Sequence, residues 1–294
     1  MVTLGEHGGT RILAGCTLLV GRPSASTPNH GDFELYMSAS PLSGPRFDLG
    51  GRESIESTSV MIGAAPSSFN NVDEVESTVQ VAHDPNENTD VEHPPQPLDV
   101  KVVESYICRT LRQSGYINPE ELCIVKGKAA WRIRITVHIL NCEGNVLDGS
   151  MLCILAALRD LELPMVEVEE VEGTGSVVRV VTDGAELTRQ QQSKKKRQSG
   201  KKLTLGAAPI STTLAILPQG SGSEKKNVLV VDPTSFEEDM SYGNSVTVVC
   251  NTNGDVVNFS KKGSETKLSV NEMKAVVELG MERARKLDPL VIGS

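Results

Sequence analysis

Residues 131–139 show the clearest alternation of apolar and polar side chains. Every second position in this stretch is apolar, with arginine, threonine or histidine between: Trp131, Ile133, Ile135, Val137 and Ile139. A period of two with one apolar face is typical of a β-strand that buries one face. Shorter β-rich stretches lie at residues 10–20, 32–38, 165–169, 176–182, 212–217, 228–231 and 245–250. The last of these leads through Asn253-Gly254, a favoured hairpin turn, into a further strand at 256–259.

Three segments have the spacing of helices. Residues 100–111 carry apolar side chains at intervals of three and four, with Asp99 placed to cap the first turn and Gly115 placed to end the last. Residues 150–161 are apolar on nearly every side, which predicts a helix buried inside the domain. The final helix is predicted to begin at the capping box Ser269-Val-Asn-Glu272.

This order of elements predicts an α+β fold in which helices pack on a mixed sheet. We expect residues 1–294 to form one domain with two insertions. Residues 66–97 are acidic and aperiodic, which predicts a disordered segment, and residues 187–203 are rich in lysine, which predicts a basic loop. Because the first strand starts near residue 10 with no partner before it, we also expect a truncated N-terminal part.

Composition narrows the class of protein. The formal net charge is −9, whereas a free-standing nucleic-acid-binding protein usually carries a basic surface. The six cysteines contain no Cys-x-x-Cys pair, which favours reduced thiols in an intracellular protein over disulfides or a zinc site. No apolar run approaches the roughly 18 residues of a membrane-spanning helix. We therefore expect a protein without metal, cofactor or membrane segment.

Three segments, taken in order, resemble the RNase PH-like subunits of the eukaryotic RNA exosome ring. They are residues 121–131, residues 143–158 and residues 229–238. The resemblance extends over residues 4–287 apart from the two insertions. It implies the RNase PH-like fold, which is of the ribosomal protein S5 domain 2 type, and a place in a six-membered ring of related subunits.

The resemblance also implies that the phosphorolytic site is lost. Catalytic members of the family bind phosphate with a Gly-Thr-Arg triplet before the buried helix, where backbone N–H groups and a guanidinium hold the dianion. The matching positions here are Asn145, Val146 and Leu147, and the last two have no hydrogen-bonding side chain. Two aspartates of the catalytic members correspond to Phe236 and Tyr242. We therefore expect no catalytic residue.

Two features near these positions admit a second interpretation. The acidic run at residues 237–239 leaves open an acid in a shifted register. Residues 8–11 spell Gly-Gly-Thr-Arg, but they precede a β-rich stretch and not the buried helix. We interpret them as the start of a strand, because a motif carries chemistry only in its structural context.

Basic residues are the candidate contacts to RNA. They are Arg46, Arg52, Lys194, Lys195, Lys196 and Arg197. Clustered cations attract phosphate at long range, but the lysine-rich group also suits a nuclear-localisation signal or a solvated loop. These alternatives stay open at the level of sequence.

The function that the resemblance implies is architectural. We expect a non-catalytic subunit that binds other RNase PH-like subunits and cap proteins and helps to line a channel for single-stranded RNA. The implied processes are ribosomal RNA maturation and RNA turnover, in the nucleus, the nucleolus and the cytoplasm. An active phosphate-dependent 3′→5′ exoribonuclease is the main alternative. A free regulatory RNA-binding protein is the second, and the net charge of −9 disfavours it.

Overall fold

The computed structural model describes residues 2–3, 9–40, 43–44, 99–171, 175–180, 201–219, 226–264 and 266–292. The strands are β1 (Val2–Thr3), β2 (Arg11–Gly21), β3 (Asp32–Ala39), β4 (Cys123–Val125), β5 (Ala129–Asn141), β6 (Glu162–Leu163), β7 (Val166–Val171), β8 (Gly175–Val180), β9 (Lys201–Lys202), β10 (Ile210–Gln219), β11 (Lys226–Val231), β12 (Ser245–Cys250) and β13 (Val256–Lys262). The helices are α1 (Val100–Ser114), α2 (Val146–Arg159), α3 (Ser235–Met240) and α4 (Val270–Ile292). The insertion predicted at 66–97 lies outside the described residues, as does most of the basic loop predicted at 187–203.

The first sheet contains β1 to β5 and is mixed. Its long central strand, β5, pairs antiparallel with β2 and β4 and parallel with β3, and β1 pairs with β2. The alternation predicted for residues 131–139 is confirmed. Ile133, Ile135 and Val137 are completely buried, while Arg132 and Arg134 on the opposite face are exposed.

The second sheet is antiparallel throughout, in the order β11-β10-β12-β13. The predicted hairpin between β12 and β13 is confirmed, and Gly254 adopts the left-handed conformation of its turn with φ 90°. Two short ribbons stand apart from the main sheets, β6 with β9 and β7 with β8. The predicted α+β class is therefore confirmed, with the strands divided between two main sheets of which only the first is mixed.

Hydrogen bonds confirm two of the predicted helix boundaries. The Asp99 carboxylate accepts a hydrogen bond from the backbone N–H of Lys101 at 2.9 Å, and Gly115 ends α1 with φ 64°. At the start of α4, Ser269 N donates to Glu272 Oε2 at 2.6 Å, and Glu272 N donates to Ser269 Oγ at 3.2 Å. Within the described residues, no helix is both long enough and apolar enough to cross a membrane.

The core lies where α2 meets both sheets. α2 contacts β2 of the first sheet, β10 of the second sheet and α4, while α4 covers β10 and β12. Met151, Ile154 and Leu155 of α2 are completely buried, as predicted for this helix. Burial of each such side chain contributes about 1.5–3 kcal/mol, so α2 is a main source of stability.

The start of α2 differs from the prediction. The helix begins at Val146 and not at Ser150, because Asn145 adopts a left-handed conformation with φ 48° and turns the chain into the helix. The backbone N–H of Gly149 then donates to the carbonyl of Asn145 at 3.3 Å. Glycine in the first turn made this region look like a loop in the sequence.

Two further boundaries come only from the structure. α3 was not predicted, although a capping box was present in the sequence: Thr234 N donates to Glu237 Oε2 at 2.8 Å, and Glu237 N donates to Thr234 Oγ1 at 3.3 Å. The basic loop predicted at 187–203 ends earlier than expected. Lys201 and Lys202 form β9, and Leu203 is buried in the core.

Candidate functional site

The turn before α2 packs directly against the segment that leads into α3. The backbone N–H of Ser235 donates to the carbonyl of Glu143 at 2.7 Å. Gly144 has φ 113°, and a Cβ at this position would lie 2.6 Å from the backbone nitrogen of Ser235, so only glycine fits. This close approach places the N-terminus of α2 beside residues 232–238.

Thr10 holds the same turn from the side of the first sheet. Its hydroxyl donates to the carbonyl of Gly144 at 2.5 Å and accepts from the backbone N–H of Glu143 at 3.0 Å. Thr10 is buried, and β2 begins at the next residue. β2 therefore begins directly after Thr10, as interpreted, and Thr10 has a structural role there, while Gly8 lies outside the described residues.

Asp148 is the buried acid at the centre of the site. Its two oxygens accept hydrogen bonds from the backbone N–H and the hydroxyl of Thr213, each at 2.9 Å. Asn145 Nδ2 donates to it at 3.1 Å, and Arg283 Nη1 lies 3.5 Å away. These partners compensate the charge of a completely buried carboxylate and connect α2 with β10 and α4. Sequence reasoning missed Asp148, because the predicted helix began only at Ser150, two residues beyond it.

A carboxylate of the chain itself occupies the anion position at the N-terminus of α2. Glu238 of α3 accepts a hydrogen bond from the backbone N–H of Asn145 at 2.8 Å. The Asn145 side chain also donates to Asp232, so three carboxylates hold this one residue. The N-terminus of a helix favours negative charge because of its free N–H groups and its dipole. Glu238 supplies that charge here.

The structure brings together three of the five positions predicted to be degenerate. Asn145, Val146 and Leu147 line a cavity of about 260 Å³. Phe236 and Tyr242 are not among the described residues that line it, and they are 71% and 50% exposed. The correspondence of these two positions with a pair of catalytic aspartates stays a prediction.

The acidic run at residues 237–239 contributes to the same cavity. Glu238 and Asp239 line it, whereas Glu237 is engaged in the capping box of α3. Lys262 is the basic residue among the described residues of the lining. An acid in a shifted register is thus present beside residues 145–147, but the carboxylate of Glu238 is already bonded to Asn145.

Tyr106 of α1 has a buried hydroxyl close to this network. The hydroxyl oxygen has no hydrogen-bond partner within the described part of the chain. Burial, and after it the negative charge of Asp148, raise the pKa of Tyr106 to about 12, while Arg109 acts in the opposite direction. The pKa of Tyr106 thus lies above the ordinary tyrosine value.

The chemistry that this arrangement permits is limited. Its polar groups are carboxylates, an amide and threonine hydroxyls that are bonded to one another. Over the described ranges, no three His, Cys, Asp or Glu side chains are arranged to hold a metal ion. These hydrogen bonds fix α2 against α3 and β10.

The predicted contacts to RNA fall on residues that the structure does not describe. Arg46, Arg52 and residues 194–197 are outside the described residues. On the exposed face of the first sheet, Arg132 and Arg134 lie 3.3 Å and 3.6 Å from the carboxylate of Glu34. These ion pairs are solvent-exposed and contribute little to stability.

Two profiles of one protein family match the chain in order. The 3′ exoribonuclease family, domain 1, matches residues 57–164, and domain 2 of the same family matches residues 207–283. The two matches together cover more than half of the chain. The chain therefore belongs to the RNase PH-like 3′ exoribonuclease family. Its curated relatives carry the names of exosome components.

Those relatives are exosome components of the Rrp45 and Rrp42 types. Exosome complex component RRP45B of Arabidopsis thaliana is 25% identical over 267 residues, which cover 88% of this chain and 46% of the relative. Exosome complex component Rrp42 of Thermoplasma acidophilum is 24% identical over 280 residues, which cover 95% of this chain and 76% of the relative. The chain thus spans about half the length of RRP45B.

Solved structures share the fold. The Archaeoglobus fulgidus exosome with RNA bound to the active site contains a chain with a TM-score of 0.60 and 20% identity, covering 97% of this chain and 80% of that one. An archaeal exosome core gives a TM-score of 0.54 at 17% identity, covering 96% and 77%. At these identities the likeness establishes the fold, and it confirms the predicted RNase PH-like fold.

Proposed function

We propose that this chain is a non-catalytic structural subunit of the RNA exosome ring. The observation that carries the proposal is the hydrogen bond from the backbone N–H of Asn145 to the carboxylate of Glu238 at 2.8 Å. A phosphorolytic enzyme needs the N-terminus of this helix for the attacking phosphate. In this chain an internal carboxylate takes that place.

The charges around the cavity also oppose phosphate. A phosphate dianion beside Asn145 would lie next to Glu238 and Asp239. Two unit charges of the same sign at about 4 Å repel each other by about 4 kcal/mol at the effective dielectric constant of a protein surface. Val146 and Leu147 offer no side-chain donor that would offset this repulsion, and Lys262 is the basic residue that opposes the two acids among the described residues of the lining.

In this proposal the chain binds neighbouring RNase PH-like subunits and cap proteins, and it helps to line a channel for single-stranded RNA. It thereby supports 3′-to-5′ RNA processing and degradation, including ribosomal RNA maturation and mRNA turnover, in nucleus, nucleolus and cytoplasm. The support comes from relatives that are named exosome complex components and from the shared fold with archaeal exosome cores.

Within the ring, we propose the place of ribosomal RNA-processing protein 43. Residues 43–47, 128–131 and 232–234 favour it by resemblance. The relatives described above belong to the Rrp42 and Rrp45 types, which are the alternatives. Cross-linking of the purified complex, followed by identification of the adjacent chains, distinguishes the three, because each place in a heteromeric ring has its own two neighbours. If the adjacent chains are those expected beside protein 42 or protein 45, the chain is assigned to that subunit instead.

The loss of catalysis is tested directly. Purified chain is incubated with single-stranded RNA, inorganic phosphate and magnesium, with a catalytic RNase PH paralogue as the positive control. We expect no nucleoside diphosphate above a protein-free blank. Release of nucleoside diphosphates by this chain would overturn the proposal and favour the active exoribonuclease.

The structural role is tested by assembly. A ring subunit buries a large face against its neighbours, so binding stabilises its folded state. Co-expression with an RNase PH-like paralogue should therefore raise both the soluble yield and the melting temperature of this chain. A monomer whose melting temperature is the same with and without each paralogue would contradict a place in the ring.

A further inference from the structure

A second cavity, remote from α2, lies where the end of β2 meets the start of β3. Its volume is about 420 Å³, within the range of about 300–1,000 Å³ that is typical of small-ligand sites. Arginines from three different elements line it: Arg22 follows β2, Arg112 belongs to the last turn of α1, and Arg132 belongs to β5. We call this cavity the arginine pocket.

Arg112 is held rigidly at the edge of the arginine pocket. Its Nη1 donates to Asp32 Oδ1 and its Nη2 donates to the carbonyl of Phe33, each at 2.9 Å. The guanidinium also lies over the Phe33 ring, 4.5 Å from the centroid. A guanidinium has five N–H donors, so Arg112 keeps donors beyond these two for a ligand.

The other two arginines differ in the number of their N–H groups that already have an acceptor in the protein. Arg132 Nη1 lies 3.3 Å from a Glu34 oxygen, which leaves most of its donors unused. Arg22 is exposed and makes no hydrogen bond or ion pair with any residue in the described part of the chain. The lining holds three arginines and one carboxylate, Asp32, which pairs with Arg112. Glu34 pairs with Arg132 and Glu120 lies beside His30, so Arg22 is the arginine of the lining that lacks an acidic partner within the described residues.

We propose that the arginine pocket binds a phosphoryl group, carried either by single-stranded RNA or by a free nucleotide. Guanidinium groups form forked, charge-assisted hydrogen bonds with phosphate oxygens. A phosphate presents oxygens in several directions, which matches arginines that approach from three elements. A carboxylate presents two oxygens in one plane, which two of these arginines would satisfy. The hydroxyls of Ser24 and Thr27 in the same lining offer further donors.

The chain contains its own reporter for this site. Trp131 is the only tryptophan, and it lines the arginine pocket. Titration of the full-length chain with inorganic phosphate or adenosine 5′-monophosphate should produce a saturable change in tryptophan fluorescence. Adenosine, which lacks the phosphoryl group, should produce none at the same concentrations.

Variants separate the pocket from general charge effects. Arg22→Ser should weaken binding of adenosine 5′-monophosphate about tenfold, because it removes one charge-assisted contact. Arg22→Lys keeps the positive charge but cannot form two parallel hydrogen bonds. Its affinity for adenosine 5′-monophosphate should therefore lie between that of Arg22→Ser and that of the unmodified chain. Arg285→Ser removes an exposed arginine on α4, outside the pocket, and should leave the affinity unchanged. Circular dichroism melting curves check that each variant folds.

The two sources of the phosphoryl group are distinguished with a short single-stranded RNA. Tighter binding than that of the mononucleotide, with a salt dependence that Arg22→Ser reduces, identifies RNA as the ligand. Equal affinity for both identifies a free nucleotide. This inference rests on the proposed function only for its RNA ligand. Arg22→Ser and the unmodified chain should assemble into the ring equally well, so a failure of assembly tests the proposed function and a failure of phosphoryl binding tests the arginine pocket.

Three results would overturn the arginine pocket as a phosphoryl site. The first is the absence of binding heat when phosphate or nucleotide is titrated into the full-length chain in a calorimeter, a measurement that does not depend on the buried ring of Trp131. The second is an equal loss of affinity in Arg22→Ser and Arg285→Ser. The third is a response to polyglutamate as strong as the response to the mononucleotide, which would indicate an acidic partner segment instead.

Discussion

The carboxylate of Glu238 accepts a hydrogen bond from the backbone N–H of Asn145 at 2.8 Å, although 93 residues separate the two in sequence. The contact joins α3 to the N-terminus of α2 and places a fixed negative charge where that helix favours an anion. The charge at this helix N-terminus is supplied by a side chain of the same protein.

Glu238→Ala should lower the free energy of unfolding by about 1 kcal/mol, because it leaves the Asn145 N–H without its charged partner. The side chain is partly exposed, so water limits the loss. Urea unfolding measures the change, with Glu278→Ala on the exposed side of α4 as the control. Equal stability of the two variants would show that the hydrogen bond contributes nothing measurable.

Asp148→Asn should cost about 3 kcal/mol, because it leaves the buried partners of a carboxylate unpaired. An amide cannot accept from the backbone N–H of Thr213, from its hydroxyl and from Asn145 at once. Asp160→Asn, at the exposed C-terminal end of the same helix, should change stability by less than about 0.5 kcal/mol. Similar values for the two variants in urea unfolding would contradict the role of Asp148.

Gly144→Ala should be far more damaging than Gly127→Ala. Both glycines have positive φ, 113° and 73°, so both substitutions carry a backbone cost of about 1–2 kcal/mol. Only at Gly144 would the new Cβ also meet backbone atoms, 2.6 Å from the nitrogen of Ser235, whereas at Gly127 the nearest atom is 4.0 Å away. We expect Gly144→Ala to reduce soluble yield and melting temperature sharply. Comparable melting temperatures of the two variants would count against the close approach.

Tyr106→Phe should be neutral or stabilising at pH 7, because it removes a buried hydroxyl that has no partner within the described residues. The unfolded chain ionises its tyrosine near pH 10, whereas the pKa of Tyr106 in the folded chain is raised to about 12. Stability attributable to Tyr106 is therefore complete below pH 10 and is lost as the pH rises from about 10 to about 12.

Measuring unfolding at pH 7 and at pH 11 checks both parts of this prediction. The phenylalanine variant should lose less stability between the two values than the unmodified chain. A variant that is less stable at pH 7 would show that the hydroxyl is hydrogen-bonded in the folded protein.

Replacing Lys194, Lys195, Lys196 and Arg197 by serine should weaken RNA binding by the assembled complex. Phosphate contacts act through counterion release, so the loss should be similar for all sequences and should shrink as salt rises. Affinity at two salt concentrations is measured together with cellular distribution. If the affinity for RNA is unchanged but the variant is lost from the nucleus, the segment is a localisation signal. If neither the affinity nor the distribution changes, the segment is a solvated loop.

The sequence by itself determined the elements whose signals are local. The alternation around Ile133 and Ile135 gave β5, the caps at Asp99 and Gly115 gave α1, and the Ser269–Glu272 box gave the start of α4. Each of these signals is complete within a few residues, because side-chain periodicity and capping depend on short-range backbone geometry. The resemblance also predicts that residues 145–147 stand at the altered phosphate position, which stays a prediction.

Only the tertiary structure decided what surrounds that position. The contacts of Asn145 with Glu238 and Asp232, and of Asp148 with Thr213 and Arg283, join residues from separate elements, and no local pattern marks them as partners. The same holds for the arginine pocket, where three arginines spread over more than 100 residues converge. Hydrogen bonds and charges act over a few ångströms in space, so their partners are set by how the chain crosses itself and not by spacing along it.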